Sequence, residues 1–171
     1  MSRLATVKPV PASSWQPPEE SLSVGFLMGR ARASLLSALD QQLAPSGVTG
    51  MQFGALKHLS AGSARTAADL CRFMQYDAGS MTRIIDRLEE KGLLRRERGR
   101  EDRRVVFLRL TPAGRTQLPR LAAVAVRVLE AHLAGFSAAE IQTLRNYLGR
   151  MIDNGQTQGE NRYTGTGGKS S

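Results

Sequence analysis

Between residues 21 and 43 apolar side chains return every three or four positions, at Leu27, Ala31, Leu35, Ala38, Leu39 and Leu43. That is the period of one helix face, and Pro45 with Gly47 stops it. Thr49 followed by Gln52 is a capping-box pattern, opening a short second helix through Phe53, Leu56 and Leu59 that ends near Gly62. Thr66 with Asp69 repeats the device and starts a third helix, about 67–74. Asp77 is placed to cap a fourth, about 78–91, closed by Gly92. Beyond Gly92 the period changes from helical to alternating. Leu94 and a charged stretch are followed by Val106, Leu108 and Leu110 on one side, with Val105, Phe107 and Arg109 on the other. This predicts a β-hairpin with its tip near Gly99 to Arg103. Thr111-Pro112 starts the next helix, with proline at the first helical position, and Leu118, Leu121, Ala122, Ala125, Leu129 and His132 trace its face. Ser137 with Glu140 caps a last helix whose apolar face is Ile141, Leu144, Leu148 and Ile152, with Asn154-Gly155 as the expected end.

Four helices, a hairpin and two more helices make a mainly α fold with a small β-hairpin wing. A winged helix-turn-helix module at 49–111 is thus expected between flanking helices at 21–45 and 112–153. At 171 residues the chain suits one domain with a substantial core, placed at 21–153. Residues 1–20, with Pro9, Pro11, Pro17 and Pro18, and residues 154–171 lack periodic apolar positions and read as disordered ends.

Charge then narrows the function classes. The formal charge is +9, carried almost wholly by arginine, since Lys8, Lys57, Lys91 and Lys169 are the only lysines. That balance favours a polyanionic partner. The single cysteine, Cys71, excludes an intrachain disulfide and fits a reducing compartment. Met1 to Trp15 has no apolar core of signal-peptide length, and no run of about 18 apolar residues occurs, so a cytoplasmic chain without membrane contact is expected.

The excess of cations is local. In the fourth helix Met81, Ile84, Ile85 and Leu88 share one face, leaving Gly79, Ser80, Thr82, Arg83, Asp86 and Arg87 outward. Gly79 and Ser80 permit close approach of the helix start to a DNA backbone, while Arg83 can make bidentate contact with a guanine edge or bind a phosphate. Immediately after, Lys91, Arg95, Arg96, Arg98, Arg100, Arg103 and Arg104 stand against Glu97, Glu101 and Asp102. Either feature alone is commonly a solvated face. In this order they describe a groove-reading helix followed by a hairpin whose tip straddles a phosphate backbone and offers an arginine to a minor groove.

These residues carry a resemblance. Residues 49–115 resemble the DNA-binding module of the MarR family of bacterial winged helix-turn-helix regulators. DRRVVFLRLTPAG, Asp102 to Gly114, is similar to the family's wing signature, and DAGSMTRIIDRLEEKGLLRRE, Asp77 to Glu97, to its recognition helix running into the wing. The charged GRED at 99–102 departs from the family's usual proline- or serine-rich tip. The resemblance implies that Asp102 orients Arg104 by a salt bridge and that Arg104 enters the minor groove. The likeness covers roughly residues 21–153 and implies interlocking dimer helices. Physics points the same way, because the first and the two last helices are more apolar than a module of this size can cover alone. A twofold dimer presents two recognition helices to a nearly palindromic site on double-stranded DNA, and repression by excluding polymerase is the default outcome. A nucleoid-associated location in a bacterial cytoplasm follows from that reading.

The family resemblance also implies a cleft for a small aromatic carboxylate or phenolic effector. Its expected residues are Phe26 and Arg30 on the first helix with Met51, Phe53, Gly54 and His58 on the second, an arginine and a histidine neutralising an acid beside an apolar wall. Cys71 reads as a packed structural thiol, with a redox-responsive regulator as the alternative. An enzyme finds little support: His58 and His132 are isolated, and no catalytic triad order, phosphate loop or dinucleotide fingerprint occurs, so no cofactor or metal is expected. The remaining alternative is a sequence-indifferent architectural DNA binder, for which the same basic wing would serve.

Overall fold

The computed structural model describes residues 23–99 and 101–163. Its helices are α1 (Val24–Leu43), α2 (Gly50–Ser60), α3 (Ala67–Met74), α4 (Ala78–Glu90), α5 (Pro112–His132) and α6 (Ala138–Tyr163). Two strands, β1 (Leu94–Arg98) and β2 (Val106–Leu110), pair antiparallel between α4 and α5. The chain forms two compact units, divided within α5 between Val128 and Leu129.

Local chemistry sets the helix starts. Ser23 Oγ accepts from the Phe26 N–H at 3.2 Å to open α1. Thr49 and Gln52 exchange the two hydrogen bonds of a capping box at α2, each 3.2 Å. Thr66 and Asp69 do the same at α3, at 3.2 and 3.0 Å. A short 3₁₀ turn, Ala44–Ser46, closes α1, and Gly47 reverses the chain at φ 68°, a left-handed conformation that glycine adopts without steric cost.

In the first unit the core gathers the apolar faces of α1 to α5 under the hairpin. Leu43, Leu56, Leu70, Met81, Ile85, Leu88, Leu94 and Leu121 are fully enclosed, each burial contributing roughly 1.5–3 kcal/mol. Ile84 lies at the margin of this core. Cys71 also packs against it, half-buried. Two tertiary bonds seat the hairpin. The Leu108 N–H donates to the Arg65 carbonyl at 2.8 Å, and the Thr111 N–H to the Leu93 carbonyl at 3.1 Å.

Alternation along β2 holds for Leu108, which is buried, and weakens toward the tip, where Val106 is exposed because the hairpin there has left the core. In the second unit Ser137 and Glu140 cap α6 reciprocally, the Ser137 N–H donating to Glu140 at 2.8 Å and the Glu140 N–H to Ser137 Oγ at 3.3 Å. The expected stop at Asn154-Gly155 is corrected, for α6 runs on to Tyr163. Gly155 does not take the positive φ that a helix stop requires, so it acts as a weak helix residue rather than a terminator. Residues 1–20 and 164–171 of the expected disordered ends lie outside the described residues.

Candidate nucleic-acid interface

The third and fourth helices form the turn of a helix-turn-helix. Gln75 adopts the left-handed conformation, φ 56° and ψ 48°, and the Tyr76 N–H donates back to the Cys71 carbonyl at 3.1 Å, which ends α3. Two residues later Asp77 caps α4, its carboxylate accepting from the Ser80 N–H at 2.8 Å. That bond, with a second from the Ser80 hydroxyl, holds the Asp77 carboxyl below its ordinary range. Met81, Ile85 and Leu88 anchor α4 in the core, so the opposite face is fixed outward. Gly79, Thr82, Arg83 and Arg87 are exposed and Ser80 is half-buried. Thr82 Oγ1 turns back to the Ala78 carbonyl at 2.8 Å, and Arg83 Nε makes a long 3.4 Å contact with Gly79 O. Among the described residues Arg83 has no carboxylate partner, whereas Arg87 pairs with Glu90 at 2.9 Å.

The wing joins this helix through a residue to which the sequence assigned no individual role. Arg96 donates to Asp86 Oδ1 at 2.6 Å and pairs with Glu89 on the same helix, while its own N–H bonds Glu89 Oε1 at 2.9 Å. The Asp86 bond is the largest influence raising the Arg96 pKa above its ordinary value, with Glu89 adding to it. Lys91 is likewise turned inward, its Nζ 2.8 Å from Gln52 Oε1 and touching the Gly47 carbonyl. The basic run from 91 to 104 thus divides into cations that hold the fold and cations left at the wing. Arg98, Arg103 and Arg104 have no acidic partner among the described residues, and Arg100 lies outside them.

The tip is set by Gly99 and Asp102. The Gly99 N–H donates to the Val105 carbonyl at 2.8 Å, and a Cβ on Gly99 would stand 2.5 Å from the Asp102 carbonyl oxygen. The expected salt bridge from Asp102 to the Arg104 guanidinium is corrected. Asp102 Oδ1 accepts the Arg104 backbone N–H at 2.8 Å, because the two residues share a tight turn in which the amide is the nearer donor. Asp102 shapes the backbone that carries Arg104 and leaves the Arg104 side chain outward.

The six residues expected to hold an effector do not converge in a described cavity. Phe53 is a core side chain, and a Cβ on Gly54 would meet the Met74 methyl at 3.1 Å. His58 stacks on Phe73, ring centroids 5.7 Å apart, with Nδ1 3.0 Å from Ser63 Oγ. Met51 accepts from the Tyr76 hydroxyl at 3.2 Å. Phe26 and Arg30 lie 5.9 Å apart, cation over ring, on an exposed stretch of α1. The helical period located these residues on their helices but not their neighbours across the fold.

A sequence model of the MarR family matches residues 46–105, the module just described. An uncharacterised HTH-type transcriptional regulator, YdgJ of Bacillus subtilis, is 34% identical over 87 residues, 51% of this chain and 53% of the relative, so the match spans about half of that protein's length. Among solved structures, BpsR of Bordetella bronchiseptica, whose DNA binding is regulated by 6-hydroxynicotinic acid, superposes with a TM-score of 0.72. It is 28% identical, covering 81% of this chain and 99% of that one. A MarR mutant from Escherichia coli complexed with operator DNA superposes with a TM-score of 0.68 at 25% identity, covering 75% and 92%.

Proposed function

This chain belongs to the MarR family of winged helix-turn-helix transcription regulators, and from that premise we propose that it is a homodimeric repressor of a pseudo-palindromic operator, released by a small aromatic acid. The observation that carries the reading is the pairing of α4 with the wing. Among the described residues, Arg83 on a core-anchored helix and Arg98, Arg103 and Arg104 on the hairpin are left without carboxylate partners, whereas neighbouring Arg96 and Lys91 are engaged in the fold. Cations left free in this arrangement serve a groove and the phosphates beside it.

Dimerisation is supported by apolar side chains left open to solvent in the single chain. On α1 these are Val24, Phe26, Leu27 and Met28; in the second unit they include Phe136, Tyr147, Met151 and Ile152. A second copy is the partner whose like surfaces would cover them. The two copies of α4 would then read half-sites about one helical turn apart. The aromatic-acid effector is supported by the nicotinic-acid derivative that regulates BpsR. Among the described residues no helix is long and apolar enough to cross a membrane.

The test is selection of random duplexes against the purified protein, followed by titration of the enriched site at two salt concentrations. An enriched inverted repeat bound roughly 10³-fold or more above random duplex, with binding lost in Arg83→Ala, is the expected result. Equal binding to every duplex with a steep salt dependence would replace this reading with an architectural DNA binder.

A further inference from the structure

The hairpin has two faces, and only one is turned toward α4. Arg96 makes its ion pairs with Asp86 and Glu89 on that side, so strand alternation sends Arg95 and Glu97 to the other. There Arg95 stands directly across from Arg109 in the strand register. Like charges at directly opposed positions destabilise a sheet, and among the described residues Glu97, 3.5 Å from Arg109 Nε, is the one carboxylate that offsets this pair, while Arg109 also lies over the Phe107 ring.

The same face borders a cavity of about 560 Å³, within the range of small-molecule sites. Arg65, from the connection between α2 and α3, and Arg115, from the first turns of α5, bring two more guanidinium groups to it. Arg115 donates to the neutral Leu110 carbonyl at 2.7 Å, and Arg65 and Arg95 have no acidic partner among the described residues. Four arginines thus meet one carboxylate, and Leu59 and Pro112 supply apolar lining. DNA laid along the exposed face of α4 would not reach this side of the sheet.

We propose that this cavity binds a small organic anion with a doubly charged head, a phosphate ester or dicarboxylate, whose apolar part rests on Leu59 and Pro112. The head would relieve the Arg95–Arg109 repulsion and fasten both strands of the wing to the α2–α3 connection and to α5. The site is separate from the DNA face and shares none of the residues expected to hold an aromatic acid.

Inorganic phosphate and phenyl phosphate are the probes, added to the full-length protein at constant ionic strength against chloride. Both should raise the melting temperature saturably and broaden the phosphorus resonance, phenyl phosphate at the lower concentration. Arg95→Gln and Arg109→Gln should each weaken binding about tenfold, the loss of one charge-assisted contact. In chloride alone Arg95→Gln should melt above the unmodified protein, which also shows that the variant folds. Arg104→Gln should leave phosphate binding intact. No saturable effect from either probe overturns the proposal. So does an effect that survives in the Arg95→Gln, Arg109→Gln double variant or disappears in Arg104→Gln, which would place the anion at the DNA-facing tip.

Discussion

Arg96 on β1 donates to Asp86 on α4 at 2.6 Å, and this bond ties the wing to the helix it flanks. Both side chains are more than a third open to water or close to it, 34% and 47%, so the pair is screened and contributes little to global stability. Its role is to fix an angle. Arg96→Ala should change unfolding stability by less than about 1 kcal/mol yet weaken operator binding about tenfold, because the wing arginines lose their register with α4. Asp86→Asn in the same background should add little further loss. Fully additive effects of the two substitutions on DNA affinity would show that the contact does not couple wing and helix.

Gly114 has the tightest approach recorded for any described glycine. A Cβ there would lie 2.1 Å from the Leu93 carbonyl oxygen, a backbone atom that accepts from Thr111 and cannot move aside cheaply. Gly114→Ala should therefore destabilise the fold by about 3 kcal/mol, read in thermal or denaturant unfolding. Gly155 is the contrast: a Cβ on it meets nothing within 4 Å and its φ is not left-handed. Gly155→Ala should stabilise by about 0.5–1 kcal/mol and raise helix content, whereas a loss of stability would mean that α6 does end at residue 155.

The contrast between these positions explains what was legible in the sequence. Helix starts depend on residues three apart, so Ser137 with Glu140, Thr49 with Gln52 and Thr66 with Asp69 announce themselves locally. The outward set on α4 follows from Met81, Ile85 and Leu88 occupying one side at helical spacing. The Arg96 clamp depends on strand and helix being folded against each other, a relation that local periodicity does not contain. The Asp102 salt bridge differs for a related reason, since the family resemblance named the pair of residues but not which donor of Arg104 the turn presents. Phe53 is a core side chain here, and helical period does not distinguish a core wall from a cleft wall.

Acid should weaken the helix caps of the helix-turn-helix. Asp69 is held below its ordinary range chiefly by the Arg65 backbone N–H and then by the Thr66 hydroxyl, and Asp77 by the Ser80 N–H. A carboxylate whose folded pKa lies below its unfolded value stabilises the fold above the unfolded value. That contribution is lost as pH falls through the folded one. Melting temperature should accordingly hold above about pH 4 and decline below it. Asp77→Asn, which retains a good N-cap acceptor, should flatten part of that decline while leaving the neutral-pH melt nearly unchanged. An identical acid profile in Asp77→Asn would assign the decline to other groups.

At the wing tip, the hydrogen bond from the Arg104 N–H to Asp102 Oδ1, 2.8 Å, separates the shape of the turn from its charge. If Asp102 acts as an acceptor for backbone, asparagine can replace it, because the amide oxygen occupies the same place. Asp102→Asn should then bind operator within about twofold of the unmodified protein, while Asp102→Ala, which frees the turn, should bind about tenfold more weakly. A charge-based role predicts a different order, with Asn as damaging as Ala. Arg104→Ala supplies the calibration: it should lower affinity and reduce the salt dependence by about one counterion equivalent. Asp102→Ala should lower affinity with that slope largely kept, since the Arg104 guanidinium is still present but no longer held in position.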